Sequence, residues 1–406
     1  MIDPRDFGLA NLPLGIISDH TGRKRAAVAF ENRCVDLDML AGANIIGEDS
    51  LRGAETLNAF LGRGRSAWTA LRARLQHLLG PDAAPDERAA VERASLPRDS
   101  VTMHLPVAVG DYVDFYSSLE HATNLGRILR PNTEPLLPNY RHIPIGYHGR
   151  SGTIVPSDTP VHRPHGQLKP PDAEAPVFAP TRQLDVEVEM GWIAGPGNAP
   201  GKPIPIDAVR DHVYGYVLVN DWSARDIQGW EYQPLGPFLG KSFATSISPW
   251  IVSLDALEPF RVAEPNREPE PLPYLRARDS WGYEIELELL LQTAAMRERG
   301  DAAAIVSRTN SRGMYWTVAH QLAHVTANGA TIRPGDLFGT GTISGAEPGT
   351  QGSLIELTWR GRDPLPLPHG ETRAFLEDGD TVTIRGRAVR GDLRVGFGEV
   401  TGTIAG

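Results

Sequence analysis

Residues 220–250 read NDWSARDIQGWEYQPLGPFLGKSFATSISPW. The run before them, HVYGYVLVN from His212, is apolar and strand-like, and it ends in Asp221. Arg225, Asp226, Gln228, Glu231, Tyr232 and Lys241 follow, broken by Gly229, Pro234, Gly236, Pro237 and Gly240. A hydrophobic strand that runs into a charged loop rich in glycine and proline is a scaffold presenting chemistry. Trp222, Trp230, Phe238, Phe243 and Trp250 share the stretch. That many aromatics rarely face water together. The charges are therefore folded in among apolar groups, where they need partners or a metal.

The composition sets the frame for that loop. A chain of 406 residues with 41% hydrophobic and 22% charged residues has room for two or three domains and a large core. The 42 glycines and 34 prolines are nearly a fifth of the chain, against about 12% on average. The excess points to a β-rich protein with many turns. The net charge of −10 argues against nucleic acid or an anionic membrane as the main partner. It leaves room for a cation. The single cysteine, Cys34, excludes an internal disulfide and suits a reducing compartment. The opening MIDPRDFGLANLPLG is polar and broken by proline, and no apolar run is long enough to span a membrane. A soluble cytoplasmic protein is expected.

The first unit is expected over residues 1–106. AAVAFENRCVDL alternates as short strands do. SAWTALRARLQHLLG and DERAAVERA have helical spacing, with Trp68, Leu71, Leu75 and Leu78 on one stripe. No convergent polar cluster is visible, so the unit reads as structural or as a lid. The second unit, 107–406, opens with DYVDFYSSLEHATNLGRILRPN. A helix over 117–129, capped by Ser117 or Ser118, would hold His121 in its first turns. His142, His148, His162 and His165 follow in a proline-rich stretch whose spacing matches no common zinc pattern.

In QLDVEVEM, Asp185, Glu187 and Glu189 alternate with apolar residues, which puts three acids on one face of a strand. YEIELELLL repeats the pattern at Glu284, Glu286 and Glu288. Pattern alone does not choose between a metal-binding face and a wet one. Asn310–Asn328 reads as a helix with His320 and His324 four residues apart, but Gln321 stands where a zinc protease has its glutamate. SLIELTW reads as a strand carrying Glu356. The tail reads as hairpins with Asp378-Gly379 as a turn. Neither a GxSxG elbow nor a phosphate-binding glycine loop occurs.

DFYSSLEHATNLG, IPIGYHGR, LDVEVEM, NDWSARDIQGWEYQPLGPFLGKSF, GTISG and RVGFGEVTG together resemble the fumarylacetoacetate hydrolase family, in its long two-domain form. The likeness runs from ANLPLG to the C-terminus and is densest in the second unit. It implies a mostly β fold with some α: a small SH3-like N-terminal barrel over 1–106, then a mixed β-sandwich roll over 107–406. It also implies a homodimer that cleaves a carbon–carbon bond of fumarylacetoacetate, giving fumarate and acetoacetate, at the end of tyrosine catabolism. The substrate class is a diketo dicarboxylic acid. The metal carboxylates of the family fall on Asp114, Glu187, Glu189 and Asp221, which favours the first acidic strand and leaves YEIELEL as a structural edge. A second, magnesium-type position falls on Asp221, Lys241 and Thr245, the lysine acting through its carbonyl because an ammonium would be repelled. The cofactor implied is Ca²⁺, Mg²⁺ or both. The base falls on His121 with Glu356 behind it, and Arg225, Gln228 and Lys241 match groups that meet developing negative charge. Tyr116, Arg130, Tyr147, Gln228, Tyr232 and Thr342 match substrate positions. Ala244 and Gly229 depart from the family pattern without removing any of these groups.

Overall fold

The computed structural model describes residues 3–170 and 172–406. Leu14–Ser18, Arg25–Phe30, Arg33–Asp36, Ser95–Pro97 and Thr102–His104 form an antiparallel five-stranded sheet. Its edge strands, Ser95–Pro97 and Thr102–His104, are separated in sequence by only residues 98–101. A flat five-stranded sheet is about 19 Å across, whereas so short a link spans at most about 17 Å. The 3-10 turn Arg98–Ser100 shortens it further, so the sheet curls. The helix Arg65–Leu79 buries Trp68, Leu71, Leu75 and Leu78, the stripe expected from spacing.

Two larger sheets follow. One has eight strands, with Gly146–His148, Tyr112–Phe115, Leu337–Gly339, Val188–Ala194, Val213–Asp221, Thr245–Ile247 and Ile154–Pro156 in that order. Val252–Ser253 also pairs with Val213–Asp221. The other holds Ala304–Asn310, Glu286–Gln292, Thr381–Arg390, Leu393–Ala405 and Val161–His162. Strand alternation sorts the first sheet's side chains between two cores. Val188, Met190, Trp192 and Leu218 pack with Leu287, Ile384 and Phe397 of the other sheet. Ile193, Val217, Val219 and Leu337 pack with Leu14, Ile16 and Val28 of the N-terminal sheet. The eight-stranded sheet is thus covered on both faces and serves as the rigid middle layer.

Several local expectations are corrected. YEIELEL is not an edge: Glu286–Gln292 pairs with a strand on each side, and Glu286 and Glu288 meet Arg387 and Arg308. The helix expected across Asn310–Asn328 forms only over Val318–Thr326. Asn310 instead ends a strand and caps the turn Ser311–Gly313, because its side chain accepts the Arg312 N–H. SLIELTW is not a strand. Leu354–Leu357 is one helical turn, because the distant Asp185 carboxylate accepts the Leu354 and Ile355 amides. The final hairpin turns at Gly391, with Asp378-Gly379 leading into its first strand.

His320 and His324 do not meet on a metal. His320 is bonded to the Thr317 hydroxyl and His324 to that of Tyr274. Gln321 between them is fully buried, accepts the Trp192 indole N–H at 2.8 Å and donates to Ser117 Oγ at 2.8 Å. Trp192 in turn stacks on Phe338 with ring centroids 3.9 Å apart. Gln321→Ala strands both partners. It is expected to cost about 1–3 kcal/mol, read as a lower denaturant midpoint, with divalent-ion binding preserved in the folded protein.

Candidate active site

The acids converge because of sheet register. Asp114 pairs across from Gly339, Gly339 from Gly191, and Asp221 from Thr245. Asp114, Glu187, Glu189 and Asp221 are all buried, and their carboxylate oxygens lie within 4.8 Å of one another. Alternation places Asp114, Glu189 and Asp221 on the sheet face that also carries Ile193, Val219 and Leu337. A Cβ on Gly339 would lie 2.5 Å from Asp114 Oδ1 and 3.0 Å from Glu189 Oε2. This glycine is what lets two carboxylates approach across the strand between them.

Asp185 does not join its neighbours. The chain breaks strand geometry after Leu184–Asp185, which pairs with Ser223–Ala224, before Val188–Ala194 enters the large sheet. The three acids of DVEVE are therefore divided, with Asp185 on Arg225 and the other two in the cluster. Arg225 also reaches Glu187 at 2.7 Å and donates to Gln228 Oε1. Lys241 sends its ammonium to Glu187 at 2.5 Å and Asp221 at 2.6 Å. The ammonium is thus paired with two of the acids. Thr245 Oγ1 donates to Asp221 Oδ1 at 3.3 Å and Tyr147 OH to Asp221 Oδ2 at 2.9 Å.

Charge is unevenly satisfied. Burial raises the Glu187 carboxyl, but Lys241, Arg225 and His121 outweigh it and hold the group low. Burial, reinforced by Asp221, pushes Asp114 well above the usual carboxylate range, and burial with Asp114 and Asp221 does the same to Glu189. Neither Glu189 oxygen accepts a hydrogen bond among the described residues. An unpartnered buried carboxylate is costly. A cation bound by four oxygen donors would satisfy it, so these residues fit a hard divalent ion.

His121 lies in the first turn of the helix Leu119–Leu129, whose N-cap is Ser118. Its Nδ1 is 2.6 Å from Glu356 Oε2. Burial raises the Glu356 carboxyl, but His121 and hydrogen bonds from Asn124 and Ser353 bring it below its ordinary value. Ser344 donates to it as well. An ionised Glu356 only accepts, so Nδ1 carries a proton, and in the neutral imidazole the lone pair is on Nε2. Sequence reasoning missed Asn124, Ser344 and Ser353. Asn124 was within reach, since it stands three residues after His121 on one helix face.

A cavity of about 360 Å³ joins these groups. Asp114, Tyr116, His121, Arg130, Tyr147, Glu187, Arg225, Gln228, Tyr232, Lys241 and Thr342 all line it. Glu189 and Glu356 stand behind its wall, and Asp221 and Thr245 face a second cavity of about 210 Å³ across Tyr147 and Lys241. Among the described residues, none before Asp114 lines the larger cavity, so within one chain the N-terminal unit does not act as a lid. Gly229 lies at the cavity's rim with open space where a Cβ would be, and Ala244 is buried in the main core. Neither disturbs the site.

A carboxylate-backed histidine sharing a cavity with one side of a buried acid cluster is the equipment of a hydrolytic enzyme. The comparisons agree on which kind. Residues 10–106 match the fumarylacetoacetase N-terminal model and residues 112–405 the fumarylacetoacetate hydrolase C-terminal model. The fumarylacetoacetase of Rattus norvegicus is 46% identical over 406 residues, covering 98% of this chain and 96% of that one. That of Arabidopsis thaliana is 45% identical, covering 98% and 95%. Among solved structures, the fumarylacetoacetate hydrolase of Exiguobacterium antarcticum aligns over 97% of this chain and 99% of its own, with a TM-score of 0.54 and 17% identity, a likeness of fold. The chain belongs to the fumarylacetoacetate hydrolase family.

Two outcomes test the acid cluster. Gly339→Ala should weaken divalent-ion binding by about tenfold or more, measured by calorimetry, with the fold retained. A cation binds only ionised carboxyls, and Asp114 and Glu189 hold protons more tightly than ordinary acids. Binding should therefore release protons, and affinity should rise with pH. Calorimetry in buffers of different ionisation enthalpy would detect the release, and zero release would contradict the raised carboxyls.

Proposed function

We propose that the chain hydrolyses fumarylacetoacetate to fumarate and acetoacetate, a step of tyrosine breakdown. The observation that carries this reading is that His121, backed by Glu356, faces the same cavity as Asp114 and Glu187 of the buried acid cluster. In this reading Asp114, Glu187, Glu189 and Asp221 hold Ca²⁺ or Mg²⁺. Lys241 and Thr245 adjoin a second ion position at Asp221. The bound ion would supply Lewis-acid polarisation of the two keto oxygens of the substrate.

The protein's own groups do the rest. His121 Nε2 takes a proton from water, and Glu356 fixes the tautomer and stabilises the imidazolium. The hydroxide adds to the carbonyl carbon beside the bond to be broken. Arg225, Gln228 and Lys241 donate to the oxyanion and then to the leaving enolate. The carbon–carbon bond breaks, its electron pair passes to the acetoacetate carbon, and the proton on His121 returns there. One water is consumed for each diketone.

Unsatisfied donors at the cavity wall support the substrate assignments. Arg130 Nε and the Thr342 hydroxyl are buried without partners among the described residues. Arg130 suits a terminal carboxylate by its bidentate fork. Thr342, Tyr116, Tyr147 and Tyr232 would line the remainder. We further read the chain as two domains, 1–106 and 107–406, that act as a cytoplasmic homodimer. In keeping with this, no helix of the described residues is long and apolar enough to cross a membrane.

The direct test is to follow loss of the diketone absorbance and identify the products. Wild type should give fumarate and acetoacetate. His121→Ala should keep its bound ion and its fold and lose roughly 10²–10⁴-fold in kcat. Unchanged turnover in that variant would remove His121 from the base role.

A further inference from the structure

Asp185 is fully buried and outside the acid cluster. Its carboxylate is saturated by four donors. Oδ1 accepts the Val186 amide at 2.8 Å and the Leu354 amide at 2.7 Å. Oδ2 accepts the Ile355 amide at 3.1 Å and Arg225 Nε at 2.7 Å. One carboxylate therefore holds two separate pieces of the site. Through Arg225 it sets the guanidinium that reaches Glu187 and Gln228. Through the amides of 354 and 355 it fixes the single turn that carries Glu356, the partner of His121. Backbone contacts reinforce the same strut: Arg225 N donates to Gln183 O, and Val188 N to Gly352 O.

We propose that Asp185 is a positioning residue for the reaction, locking Arg225 and the Glu356 turn into one register across the cavity. The inference rests on the roles read above for Arg225 and for His121 with Glu356. Only an ionised acid meets the demand, since all four neighbours are donors and a carboxylate is acceptor-only. An asparagine has the same size but turns an NH₂ toward two donors whichever way it is flipped. Either the Glu356 turn or Arg225 must then move, and a displacement of about 1 Å at such a group is costly in rate.

The experiment compares Asp185→Asn and Asp185→Glu with wild type, all loaded with divalent ion. It measures kcat, KM, bound ion and, in ¹⁵N-histidine-labelled protein, the downfield Nδ1 proton of His121. In Asp185→Asn, kcat should fall by about 10- to 100-fold with KM nearly unchanged and the ion retained. The His121 proton should shift or broaden. Asp185→Glu, which keeps the carboxylate, should recover part of kcat and of the resonance. Wild-type kcat and an unmoved resonance in Asp185→Asn would overturn the proposal. So would loss of folded protein in both variants, which would leave Asp185 a stabilising role alone. Were wild type inactive on the diketone, the reaction proposed above would fall, and the His121 resonance would still decide for or against Asp185.

Discussion

Four carboxylates share one small buried space in this protein, and most of the surrounding structure follows from that repulsion. In a medium less polarisable than water, like charges a few ångströms apart cannot all stay ionised without compensation. Lys241 and Arg225 compensate Glu187 and in part Asp221. They leave Asp114 and Glu189 short of positive charge, where a cation could be held. The two cationic side chains neutralise part of the cluster's charge, and a bound cation would neutralise more of it.

The β-sheet makes the cluster possible by spreading the backbone cost. Asp114, Glu189 and Asp221 sit on strands of a sheet packed on both faces, and Glu187 directly precedes one of them and is bridged to Ser353, so each rests on fixed backbone. Gly339 supplies the missing Cβ where Asp114 and Glu189 approach. Gly341, with φ +77, adopts a conformation that suits glycine, lies against Phe115 and donates its N–H to Asp114. The N-terminal unit supports the same sheet face farther along the strands and leaves the acid end open to the cavity.

Much of the site could be read from the chain, for a physical reason. Asp221 and Lys241 bracket the charged loop and are buried as anticipated, although Trp230 and Phe238, two of the aromatics that suggested burial, are themselves exposed; Glu187 and Glu189 follow strand periodicity. Ser118 capped its helix as the residue pattern anticipated. The failures came where distant residues decide local form. SLIELTW has strand propensity, yet Asp185 turns it into helix by accepting two of its amides. Asp185 in turn looks like one more acid of an alternating strand until Arg225 is placed beside it. YEIELEL resembles the metal strand in pattern, and arginines on adjacent strands, invisible to a local reading, account for its acids.

The dependence of turnover on an ion held by the buried acids is the central claim. It is tested most directly by stripping the purified protein with a chelator, then following fumarylacetoacetate cleavage in buffer alone, with Mg²⁺ and with Ca²⁺. Glu189→Gln is run alongside. The expected result is loss of cleavage on stripping, recovery on adding an ion, and no recovery in Glu189→Gln. Full turnover by stripped, ion-free protein would contradict the account.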